Sequence, residues 1–107
     1  MSIAVALDDL AGVLADHPWG FLVTVRDDGR AQTLAIPTVF DGGSLTATVG
    51  KGTAANLVAR PNVTLVFPGP DGEAMSLIVD GDATVTGDRV EVRPTWAVLH
   101  RPALGRG

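Results

Sequence analysis

The chain has 107 residues, of which 46% are hydrophobic and only 5% aromatic, with 12 acidic and 8 basic side chains and no cysteine. A chain of this length buries one hydrophobic core rather than two. With a net charge of −4, a single lysine at Lys51 and arginines scattered one at a time, it lacks the clustered basic face that nucleic-acid binding needs; without thiols, disulfides, thiolate metal sites and cysteine chemistry are excluded.

In chain order, Ile3 to Asp16 predicts an amphipathic helix, because Leu7, Leu10 and Leu14 recur on one side while Asp8 and Asp9 lie on another. Pro18 stops it and pushes His17 toward an extended backbone. The stretch has no basic leader, and its apolar run is broken by three aspartates, so it does not read as a signal peptide. No apolar run is long enough to span a bilayer. A cytoplasmic protein is the expectation. His17 is a lone histidine at a helix end, a position more typical of a capping group than of a ligand or base.

Phe21 to Arg26 alternates as a strand, and Asp28-Gly29 is a strong hairpin signal because glycine accepts the positive φ of a primed turn. Gln32 to Phe40 follows, with Leu34, Ile36 and Phe40 on one face and Thr33, Ala35 and Val39 on the other. Pro37 has no N–H for a ladder, so the strand must be bulged or at an edge there. After Asp41-Gly42-Gly43, Ser44 to Val49 places Leu45, Ala47 and Val49 inward and Ser44, Thr46 and Thr48 outward. The row of small hydroxyls beside Ala35 leaves room for a flat ligand; it equally reflects the preference of threonine for strands.

At Gly50-Lys51-Gly52-Thr53 the apolar period changes from two to helical. Thr53 is the expected N-cap of a helix from Ala54 to Arg60, closed by Pro61. Val63 to Phe67 is a strand, 68–72 a loop, and Glu73 to Thr86 a long strand bent or bulged at Gly81. Gly87-Asp88 turns it into Arg89 to Arg93, and Pro94 is expected to end that strand, leaving 94–107 as a tail. These elements predict one mainly β domain over 1–107: a six-stranded antiparallel split barrel, a helical segment over 1–18, and a short helix between the third and fourth strands. Closing the sheet removes its edges.

Few constellations carry chemistry. His17 and His100 are far apart and neither has metal-ligand spacing around it, so no metal site is expected. No nucleophile elbow surrounds any serine. Asp80 and Asp82 flank Gly81 on one strand face, where a solvated pair is commoner than an acid–base pair. The Gly50–Thr53 turn differs: lysine supplies a point charge, threonine a hydroxyl, and a helix start free N–H groups, a set suited to one phosphate. It is not a P-loop, since the GK[ST] ending and four-residue interval are missing.

Three segments together, 20–49 with its DGR and DG turns and mid-strand proline, Ala55 to Phe67, and the long strand LIVDGDATVTG, resemble the pyridoxamine 5′-phosphate oxidase-like, flavin-binding split-barrel family over roughly Trp19 to Val92. The resemblance implies a homodimer with a cofactor site in each groove between subunits, FMN as the usual cofactor, and a deazaflavin coenzyme or haem-related ligands in some branches. By that carry-over Thr33, Leu34, Ala35, Ile36, Thr46 and Thr48 line the flavin groove, while Lys51, Thr53 and Asn56 lie near the ribityl phosphate. It implies redox chemistry on a small-molecule substrate, with no catalytic side chain identified; the alternative is a non-catalytic barrel that sequesters FMN, a deazaflavin or a tetrapyrrole. Members commonly carry Lys or Arg just before the helix Asn-Leu, where this chain has Ala54 and Ala55. The long C-terminal segment that grips pyridoxal phosphate is also missing, so the name-giving oxidation is not expected. Either the tail crosses to a partner and offers Trp96 or His100 to its groove, or Trp96 simply packs and the rest of the tail frays.

Overall fold

The computed structural model describes residues 2–102. Eight strands form one antiparallel sheet: β1 (Ser2–Ala4), β2 (Gly20–Val25), β3 (Ala31–Ile36), β4 (Val39–Asp41), β5 (Ser44–Thr48), β6 (Asn62–Phe67), β7 (Ser76–Thr86) and β8 (Arg89–His100). A 3-10 turn at Leu7–Asp9 leads into helix α1 (Leu10–Ala15), and helix α2 (Lys51–Ala59) joins β5 to β6. The sheet order is β3-β2-β6-β7-β8-β5-β4, with β1 also paired to β8. Its two outermost strands, β3 and β4, are separated in sequence only by Pro37 and Thr38. Two residues cannot cross a flat seven-strand sheet, so the sheet curls into a half-barrel that brings its ends together.

The axis of the sheet is the β7–β8 hairpin, paired from Ser76↔His100 to Thr86↔Arg89 with one bulge along it. Buried side chains alternate along both strands and along β6, and the core contains Leu65, Phe67, Leu77, Val79, Val90 and Val92. Leu57 of α2 and Leu10 of α1 cap this core from outside. Burying each such side chain stabilises by about 1.5–3 kcal/mol. Gly42, Gly43 and Gly87 have positive φ in two-residue primed turns, whereas the expected primed turn at Asp28-Gly29 is a three-residue loop between Arg26 and Arg30 in which Gly29 alone has positive φ.

Several elements depart from the sequence reading. Eight strands replace the expected six. One reason is that Pro37 splits the Gln32–Phe40 run into β3 and β4, which pair with different partners, β2 and β5. The other is that the first residues of the expected N-terminal helix are a strand: Ser2, Ile3 and Ala4 pair with His100, Leu99 and Val98. β-branched Ile3 finds an open edge there because β8 does not stop at Pro94. The register passes from Gly81↔Pro94 to Asp80↔Trp96, so Thr95 is an extra residue, a bulge opposite the glycine. At a bulge the missing N–H of Pro94 leaves no ladder partner wanting, and the strand continues to His100. The expected tail is therefore half strand; its last residues, 103–107, lie outside the described residues. β7 begins at Ser76 rather than Glu73, because the side chain of Asp71 accepts from the N–H groups of Glu73 and Ala74 and holds them in a turn.

Candidate functional site

Helix α2 starts earlier than the threonine signal predicts. Gly50 is its N-cap, with no side-chain cap, and Lys51 is its first residue. Thr53 thus lies inside the first turn, 3% exposed, and its hydroxyl donates to Gln32 Oε1 at 3.1 Å. The same oxygen accepts from Asn56 Nδ2 at 3.2 Å and from Thr24 Oγ1 at 3.3 Å, and Asn56 Nδ2 also reaches Thr24 Oγ1 at 3.2 Å. A four-residue polar network therefore bolts α2 to the β2–β3 hairpin. Gln32, which did not stand out in the sequence, is its hub; its signal is a carboxamide on a strand directly across from Thr24.

The first turn of α2 separates two pockets. On the hairpin side, a pocket of about 450 Å³ is lined by Arg26, Asp27, Asp28, Gln32, Gly52 and Asn56. Its nearby cations already have partners: Arg26 meets Asp28 at 2.9 Å, and Arg60 meets Asp27 at 2.8 Å. On the other side, a pocket of about 440 Å³ is lined by Val49, Gly50, Lys51, Ala54, Gly87 and Asp88. Lys51 faces this second space, so the trio Lys51, Thr53 and Asn56 is not gathered around one pocket. A third space of about 190 Å³ runs along the rim of the half-barrel, lined by Pro37, Val39, Thr46, Ala47, Thr48 and Arg89.

The other expected groove residues flank the seam between the ends of the sheet. Thr33 and Ala35 are exposed on β3, whereas Leu34 and Ile36 turn inward, half-buried. Ile36 packs toward Leu45, Thr46 and Ala47 across the seam. Thr46 and Thr48 lie on the outer side of β5, with Thr46 opposite Val39 and Thr48 opposite Arg89. Along the rim groove, small side chains therefore form one wall, while Arg89 supplies a cation that follows the Gly87-Asp88 turn and was not singled out in the sequence.

The residues weighed for other chemistry have structural roles. His17 is buried, with Nδ1 at 2.8 Å from the Val13 carbonyl and Nε2 at 3.1 Å from that of Met75, so neither ring nitrogen is open to a ligand. His100 lies 3.2 Å from the Ser2 hydroxyl, at the end of the β1–β8 pairing. Asp80 accepts from Thr64 at 2.7 Å and Asp82 from Asn62 at 3.0 Å, making both cross-strand partners on one face. Among the described residues, no three His, Cys, Asp or Glu side chains cluster as metal ligands, and no helix is long and apolar enough to cross a membrane. Trp96 is 54% exposed, so it does not simply pack against its own core.

No family model matches the chain. An uncharacterised protein of Mycobacterium bovis is 39% identical over 116 aligned positions, which take in 92% of this chain and 82% of the relative, and a Mycobacterium tuberculosis protein matches to the same extent. Among solved structures, an F420 reductase superposes with a TM-score of 0.64 at 28% identity, over 79% of this chain and 93% of its own. A Listeria innocua protein assigned as a pyridoxamine 5′-phosphate oxidase superposes with a TM-score of 0.72 at 16% identity, over 87% of this chain and 96% of its own; at that identity it shows the fold alone.

Proposed function

This chain belongs to the pyridoxamine 5′-phosphate oxidase-like split-barrel family, and from that premise we propose that it is a flavin-binding oxidoreductase. Its cofactor is FMN, with a deazaflavin coenzyme as the alternative, and its site is completed by a second copy of the chain. The observation that carries the reading is the rim groove, where Pro37, Val39, Ala47 and the two outward threonines, Thr46 and Thr48, leave a shallow, small-sided face beside the seam. A planar ring lies flat against such a wall, with threonine hydroxyls at hand for its polar edge. Val39 is 62% exposed and Trp96 54% exposed, large apolar surface of the kind a partner subunit covers.

The cofactor, when bound, supplies the hydride and electron chemistry. The chain's part is to orient the ring against β5, to exclude water from one face, and to hold the charged end of the cofactor. A second reading, storage of the cofactor without turnover, draws on one observation: among the described residues that line the rim groove and the Lys51 pocket, Asp88 is the one carboxylate and no histidine is present. With so few acid–base groups there, positioning must provide any catalysis. The discriminating experiment is an absorbance spectrum of the purified protein, followed by incubation with FMN and with the deazaflavin. A bound chromophore whose reduced form passes electrons to an added acceptor is the expected result; a bound chromophore that stays reduced favours storage, and a colourless protein after both incubations removes the flavin reading.

A further inference from the structure

We propose that the hairpin-side pocket is a second binding site, one that reads the planar edge of an amide: a primary carboxamide or a lactam, in which an N–H and a carbonyl lie side by side. The pocket shares no lining residue with the rim groove, and the assignment does not depend on the flavin reading. Two carboxamides, Gln32 and Asn56, line it. Gln32 Oε1 is committed inside the protein, accepting from Thr24, Thr53 and Asn56. Asn56 Nδ2 is committed likewise, donating to Thr24 Oγ1 and Gln32 Oε1. What remains is the other end of each amide. Among the described residues neither Gln32 Nε2 nor Asn56 Oδ1 has a partner. No buried side-chain nitrogen or oxygen there lacks one, so these two atoms are open to solvent, and the pocket is the space that both residues face.

The pocket therefore presents an uncharged donor and an uncharged acceptor. The 3.2 Å bond between the two amides keeps their unused ends within reach of one small ligand. The network behind them, with Thr24 and Thr53 each 3% exposed, orients both carboxamides before a ligand arrives. A ligand carbonyl accepts from Gln32 Nε2, and the N–H beside it donates to Asn56 Oδ1. A trans peptide bond points its N–H and C=O in opposite directions and cannot use both groups, so a peptide backbone is not the ligand. Nor is an anion: Asp27 and Asp28 also line the pocket, and the lining cation, Arg26, is already paired with Asp28 at 2.9 Å. Gly52 leaves the room, since a Cβ there would meet nothing within 4 Å. The volume of about 450 Å³ suits a small ring compound.

The test is an NMR titration with benzamide, a carboxamide, and with uracil, a lactam. Their controls are N,N-dimethylbenzamide and 1,3-dimethyluracil, which keep ring and carbonyl but have no N–H. The wild type is expected to bind at least one N–H-bearing probe at least about tenfold more tightly than its methylated control, the scale of one hydrogen bond whose loss leaves a group unpaired. The side-chain amide signals of Gln32 and Asn56 shift as it binds. Which probe shows the preference tells whether the site takes a carboxamide or a lactam. Gln32→Glu keeps an oxygen for Thr24, Thr53 and Asn56 but replaces the free donor by a second acceptor, so affinity for that probe falls at least about tenfold. In Gly52→Leu the new side chain grows into the pocket while helix α2 loses a glycine that disfavours it; the protein folds and neither probe shifts the two amides. A wild type that binds neither N–H-bearing probe, or binds the methylated controls equally well, overturns the proposal. Binding that survives Gln32→Glu or Gly52→Leu also overturns it. Should Gln32→Glu not fold by circular dichroism, Gly52→Leu decides alone.

Discussion

Two regions of this small molecule differ in what they can lose. The spine, β6 to β8, is long and buried on alternate residues, and its inward side chains have almost no solvent contact: Leu77 and Val79 are 0% exposed. The rim, where β3, β4 and β5 meet around Pro37, is short, half-buried and lined by small side chains. The spine carries the stability, the proposed function puts the recognition surface on the rim, and the polar network around Gln32 ties α2 to the β2–β3 hairpin. Substitutions that separate folding from binding are the way to test this division.

The largest effect is expected in the spine. Leu77→Ala removes a fully buried side chain from β7, on the face shared with its cross-strand partners Phe67 and Leu99. A loss of about 3 kcal/mol of stability follows from the transfer and cavity terms together, read as a lowered urea midpoint with an unchanged slope. The protein that remains folded should bind flavin with wild-type affinity. If the loss is under about 1 kcal/mol, the spine is not the main reservoir of stability.

A smaller loss is expected at the coupling network. Gln32→Leu keeps most of the volume but withdraws the oxygen that accepts from Thr24, Thr53 and Asn56. Thr24 and Thr53 are each 3% exposed, so water cannot easily replace the lost acceptor. Buried hydroxyls without partners cost roughly 1–3 kcal/mol, measured again by urea unfolding. Hydrogen exchange at the first turn of α2 should rise with it. Unchanged exchange there would mean the helix is held by Leu57 alone.

How much of this division was readable in advance depends on the range of the cause. Every hairpin turn is local chemistry, and Gly29, Gly42, Gly43 and Gly87 mark them unambiguously. Pro37 was legible as an interruption, though not as the point where the sheet's two ends are joined, since that depends on the order of strands far apart in sequence. Pro94 misled for a related reason: a missing N–H ends a strand only where a partner needs it, and the bulge opposite Gly81 removes the need. A side chain at Gly81 would meet the Arg93 carbonyl at 2.6 Å, so the glycine and the bulge belong together across the β7–β8 hairpin. The Ile3–Asp16 run was misassigned at its start because helical periodicity in Leu7, Leu10 and Leu14 says nothing about an open strand edge on β8. The site was less legible still. Lys51, Thr53 and Asn56 lie within six residues of one another, yet a helix turns them to different sides, and the start of that helix was displaced by the assumption that a threonine must be the cap.

The smallest effect on stability, and the sharpest on binding, belongs to the rim. Thr48 is exposed on the outer side of β5, opposite Arg89, and contributes nothing to the core. Thr48→Phe preserves β propensity, because aromatic residues suit an exposed strand position as well as threonine does. Its stability should stay within about 0.5 kcal/mol of wild type. The ring of the new phenylalanine, however, occupies the space along Thr46 that the planar cofactor needs, so flavin affinity should drop by at least about tenfold, an amount equal to one good contact or a modest clash. Because FMN and riboflavin, which lacks the phosphate, share the ring, both should weaken together. If Thr48→Phe binds both flavins as wild type does, the ring is not on this face of β5, and the division between a stabilising spine and a recognising rim has to be redrawn around the hairpin pocket instead.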